Sequence, residues 1–123
     1  MVAILQAFTT GGSSGSAPAA RNHRGQASSI PALASASLTS FVASDFKLRG
    51  FVATGTTDFI AWVEVDGVPL EGIQARGSIA KVAQIVLPNP EAYASPSAVV
   101  AFRIRNENQF SVTGDFEGTL LGE

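Results

Sequence analysis

The chain contains no cysteine, which removes at once a disulfide framework, a thiolate zinc site and a cysteine nucleophile. It has a single histidine, His23. That residue lies among Gly, Ser and Ala beside Arg21 and Arg24, where no predicted scaffold would hold it to the tolerance a general base requires. Charge is also scarce: Asp, Glu, Lys and Arg make up 15% of the chain, against about 25% in average soluble domains. Much of the surface must therefore be neutral, small or apolar, which suits a protein that covers others or is covered by them. Lys and Arg are nowhere dense enough to neutralise a row of phosphates, so nucleic acid is not an expected partner. No apolar run approaches the roughly 18 residues of a membrane span. The opening Met1–Phe8 is apolar but has no basic residue before it, so it is expected to be neither a signal peptide nor an anchor, and to be retained.

A chain of 123 residues that is 46% hydrophobic fits one domain with a compact core. The composition changes near residue 38. Residues 9–37 are mainly Gly, Ser, Ala and Thr with Pro18 and Pro31, too poor in large apolar side chains to offset the entropy of ordering them. The segment 1–37 is accordingly expected to be an extended N-terminal arm, and residues 38–123 a folded body. Residues 1–44 carry two arginines and no acid, whereas 45–123 carry six basic and ten acidic residues, so a weakly basic arm joins an acidic body. Thirty extended residues reach roughly 100 Å at about 3.3 Å each. The apolar tip, with Val2, Ile4, Leu5 and Phe8, is the arm's expected partner-binding element, together with Arg21 and Arg24. It could add a strand to a neighbour's sheet or pair with this chain's own sheet, and the sequence leaves both open.

From Leu38 the period is two. Leu38, Ser40 and Val42 alternate with Thr39, Phe41 and Ala43, and Phe46, Leu48, Gly50 and Val52 alternate with Lys47, Arg49, Phe51 and Ala53. Phe59, Ala61, Val63 and Val65 share one face of the next run, opposite Ile60, Trp62 and Glu64. Asp66-Gly67 supplies the two positive φ angles of a type I′ turn, so residues 68–75 should return antiparallel to 59–65. Strands are also predicted over 79–87, halted by Pro88-Asn89-Pro90, then over 98–106, 109–113 and 115–121. About seven short strands with turns every 8–12 residues indicate an all-β fold: a single antiparallel β-sandwich, immunoglobulin-like or a related Greek key.

Few residues offer chemistry. Asp58, Glu64, Asp66, Asp115 and Glu117 could pair as glycosidase carboxylates or gather a weak calcium site, but their positions at turns and on alternating faces read as turn formers and solubilising charges. Gly11-Gly12-Ser13-Ser14-Gly15 lacks the lysine and the strand-to-helix setting of a phosphate loop, so it reads as linker. No cofactor or metal is expected, nor an enzyme. Trp62 reads as packing; with Phe51 or Tyr93 it would be the platform of a carbohydrate-binding module if exposed.

Val65-Asp66-Gly67-Val68, Ile85-Val86-Leu87-Pro88 and the closing Asp115-Phe116-Glu117-Gly118-Thr119-Leu120-Leu121-Gly122 give residues 45–123 a character that resembles small β-sandwich virion proteins of tailed bacteriophages, the capsid decoration or cement type. The resemblance implies a non-enzymatic protein on the outside of an assembled head. It would bind the major capsid protein and copies of itself as a homo-oligomer, stiffening the shell, with no catalytic residue carried over. A tail, collar or baseplate component on the same sandwich is the neighbouring alternative.

Overall fold

The computed structural model describes residues 21–43, 46–77, 81–92 and 97–123, with 88–92 described by backbone alone. These residues form eight strands: β1 (His23–Ile30), β2 (Ser35–Val42), β3 (Lys47–Gly55), β4 (Phe59–Val65), β5 (Val68–Gly77), β6 (Val82–Ala92), β7 (Val99–Asn106) and β8 (Gly114–Gly122). Two four-stranded antiparallel sheets, ordered β1-β8-β3-β6 and β2-β7-β4-β5, face each other as a β-sandwich. The pairings nest: β4 with β5, β3 with β6, β2 with β7 and β1 with β8. The chain is therefore one long hairpin folded over on itself, and this nested double Greek key is a jelly roll rather than the immunoglobulin order.

The tip of that hairpin is the Asp66-Gly67 turn, with φ of 51° and 81° and Val65 opposite Val68. Alternation in β4 holds as expected. Phe59, Ala61 and Val63 are fully buried, while Ile60, Trp62 and Glu64 occupy the outer face, half-buried. Between the sheets lie Phe46, Phe51, Phe59, Phe102 and Phe116 with Leu48, Ile104 and Leu120; each such side chain contributes about 1.5–3 kcal/mol by leaving water.

Four expectations change. Residues 23–37 are not extended arm: they form β1 and the start of β2 in this chain's own sandwich. The strand His-Arg-Gly-Gln-Ala-Ser-Ser-Ile has no apolar alternation, and its order comes from pairing with β8 and from contact with β2. At Gly25 a Cβ would fall 1.7 Å from the Leu38 carbonyl oxygen, so only glycine lets the two strands approach. The expected arm residues 1–20 lie outside the described residues. In β3 the inward set switches from Leu48 to Phe51 and Ala53, because the register shifts between Leu48 and Gly50, where φ is 151°; a bulge breaks the straight alternation. The Pro88-Asn89-Pro90 segment does not end β6. Register jumps from Gly50↔Val86 to Leu48↔Glu91 across it, which an edge strand tolerates because its outer N–H groups need no partner. Residues 109–113 are loop, not strand.

Candidate interaction surfaces

The chain enters the body at a clamp. Arg21 N–H donates to the Gly122 carbonyl at 2.8 Å, and Gly122 N–H donates to Asn22 Oδ1 at 3.4 Å. The Arg21 guanidinium reaches the Ala43 carbonyl at 3.4 Å and sits 5.7 Å from the Phe46 ring centre, a cation–π distance. His23 stacks on Phe41 with centroids 3.5 Å apart and planes 6° from parallel, and Phe46 meets both edge-on. Burial, and secondarily the Arg21 charge, hold the His23 imidazole below its ordinary pKa of 6.5. The clamp lies at the end of the sandwich that carries the 66–67 turn and the C-terminus.

Of the residues expected to bind a partner, Arg21 belongs to this clamp. Arg24 lies on the outer face of the β1-β8-β3-β6 sheet, ion-paired at 3.2 Å with Glu117, both side chains more than half exposed. Val2, Ile4, Leu5 and Phe8 lie outside the described residues.

The outer face of the β2-β7-β4-β5 sheet carries a run of polar and charged side chains. Trp62 does not lie between the sheets. Its indole N–H donates to Glu64 Oε2 at 2.8 Å, and Gln74 and Arg103 flank it in register. Arg103 donates to Ser37 Oγ at 2.9 Å, while its buried Nε lacks a hydrogen bond and keeps only a 3.7 Å ion-pair contact with Glu64. Further along, Glu107 bridges Arg76 at 2.9 Å and Arg105 at 3.1 Å, at the mouth of a cleft of about 500 Å³ that Leu33, Asp58 and Gln109 also line. Phe51 is fully buried in the core and cannot be a platform; Tyr93 lies outside the described residues.

The carboxylates are spread and engaged. Asp58 pairs with Lys81, Asp66 accepts from Val99 N–H at 2.8 Å, and Asp115 accepts from Ser29 N–H at 2.8 Å. Among the described residues no three His, Asp or Glu side chains gather as a metal cluster, and no helix is long and apolar enough to cross a membrane.

Opposite the clamp, Asn106 organises the β1–β2 and β7–β8 loops. Fully buried, it donates to the carbonyls of Ile30 at 3.0 Å and Val112 at 2.9 Å and accepts from Asn108 N–H at 2.9 Å. Asn108 in turn accepts from Phe110 N–H at 2.7 Å. Two side-chain turns in series thus fix a loop whose Phe110 side chain is 85% exposed. The sequence reading missed this tip by taking 109–113 for a strand; asparagines two apart at 106 and 108 were the available signal. No protein-family model matches the chain, and no curated protein matches it.

Proposed function

We propose that the chain is a non-enzymatic structural protein of a tailed-bacteriophage particle, a decoration protein that binds the major capsid protein and stiffens the head. The observation that carries this reading is the clamp at Arg21–His23. A leader of small, uncharged residues with an apolar tip departs from a fixed point on a rigid body, the arrangement by which a small protein increases the surface it covers on its neighbours. The jelly roll agrees with it, since viral coat proteins use that architecture, although fold alone assigns no role. The protein works in the virion, and a place in the tail, collar or baseplate uses the same body and leader.

Purified protein added to heads that lack it should bind saturably, and a chain without residues 1–20 should bind at least about tenfold more weakly, about 1.4 kcal/mol, with an unchanged circular dichroism spectrum. Equal binding by both chains, or absence of the protein from purified particles, would reject the reading.

The outward position of Trp62 favours a second reading, glycan binding on the β2-β7-β4-β5 face, where an aromatic plane is joined by Gln74, Glu64 and Arg103. As the only tryptophan, Trp62 reports directly. Oligosaccharides should change its fluorescence saturably if this reading holds, and a flat titration across neutral and acidic glycans eliminates it.

A further inference from the structure

Four strands lie at sheet edges: β1, β6, β2 and β5. Open edges invite pairing, and proteins blunt them with bulges, prolines and charges. All four carry some of these devices. β1 carries Arg24, a register break between Ala27 and Ile30, and Ser29 at φ 56°. β2 breaks register between Ser37 and Thr39. β5 contains Pro69, Glu71, Gly72 at φ 78° and Arg76.

β6 differs. From Val82 to Val86 it pairs with β3 in unbroken register, and residues 82–87 contain no charge, glycine or proline. Among the described residues β6 pairs with β3 alone. Ala83 is buried, and Ile85 and Leu87 pack on the core. Val82, Gln84 and Val86 point outward, the valines 45% and 48% exposed, and the Gln84 side chain makes no hydrogen bond among the described residues. Lys81, at φ 56°, bounds this stretch on one side and Pro88 on the other.

We infer that the β6 edge is a self-association surface whose occupant is β6 of a second copy, paired antiparallel about a two-fold axis through Gln84. Two features of the strand select that partner and that axis. A two-fold axis sets each side chain against the same short segment, so a charge there would face its like; residues 82–87 offer none. Directly opposed residues of antiparallel strands share a face, so an axis normal to the sheet must pass through a residue rather than between two. Placed at Gln84, it sets Val82 against Val86 of the second copy and Ala83 against Ile85, covers both exposed valines, and brings the two Gln84 amides together as mutual donor and acceptor. Placed at Ile85, it would set Val82 against Pro88, where the ladder cannot continue. The two β1-β8-β3-β6 sheets then run on as one eight-stranded sheet. This inference is independent of the function proposed above.

The test uses the full chain, which has no native cysteine. Across the axis the Cα atoms of residue 84 would lie about 4.5–5.5 Å apart, within disulfide reach. Residues 82 would be offset by four positions, roughly 13 Å. Under mild oxidation Gln84→Cys should form a disulfide dimer and Val82→Cys alone should not, whereas Val82→Cys mixed with Val86→Cys should cross-link. In sedimentation velocity, Gln84→Lys and Gln84→Glu should each weaken association at least about tenfold, and their equimolar mixture should restore it. The inference is overturned if the unmodified chain stays monomeric to about 500 μM, a bound corresponding to roughly −4.5 kcal/mol. Cross-linking of Gln84→Cys no faster than Val82→Cys, or association that survives both charge substitutions, overturns it equally. Because residue 84 is exposed, each variant should retain the native spectrum.

Discussion

His23 and Asn106 show how single polar residues hold the two ends of the sandwich. His23 is held below its ordinary pKa of 6.5 first by burial and then by Arg21. Between the depressed folded value and about 6.5, the unfolded chain binds more protons than the folded one. Stability contributed by this site is therefore complete above about pH 6.5 and falls as pH drops toward the folded value. Melting temperature followed from pH 8 to 5 should decline over this window, and His23→Phe, which keeps the stack without the charge, should remove that part of the decline. At the other end, Asn106→Ala leaves the Ile30 and Val112 carbonyls and Asn108 N–H without their partner. It should lower unfolding free energy by about 2–4 kcal/mol, read as a shifted urea midpoint at constant slope.

The strand that matters most among the elements is the one with least sequence signal. β1 stays against β2 only because position 25 has no Cβ. Gly25→Ala, which would bring carbon to 1.7 Å from the Leu38 oxygen, should destabilise the protein by about 3 kcal/mol and raise amide exchange along 23–30 more than elsewhere. Truncation separates leader from body at a definite residue. Removing 1–20 should leave the urea midpoint essentially unchanged, because β1 and its clamp remain. Removing 1–37 deletes β1 and the start of β2, strips the partner from one side of β8, and should give an aggregating or unfolded chain. The visible elements were those whose two faces differ in chemistry. β4 and β7 bury Phe59, Ala61, Val63, Val100, Phe102 and Ile104 on one side, and their alternation was legible. β1 buries little of its own and is ordered by its neighbours. The Gly50 bulge was equally illegible, since it answers to the backbone of Ile85, whose carbonyl a Cβ would meet at 2.1 Å.

At the scale of the whole molecule, every hairpin layer outside β4–β5 joins segments increasingly distant in sequence, ending with His23 opposite Leu120. Folding should accordingly be slow for this size, in the millisecond-to-second range expected for non-local β pairing, as stopped-flow tryptophan fluorescence would show. Trp62 reports well because it stands on the central β4. By itself the sequence determined that the chain is all-β, that the Asp66-Gly67 turn joins two central strands, and that alternating Phe, Leu and Val supply an intersheet core. These follow from local rules: positive φ is cheap in Asp-Gly, and a pleat sends successive side chains to opposite faces. Only the tertiary structure decided that 23–37 belong to the body, that the strands nest as a jelly roll, that Trp62 faces outward, and which strands lie at the sheet edges. Those outcomes depend on which strands meet, and pairing between segments as many as 97 positions apart is set by how layers close over a shared core, which no local pattern encodes.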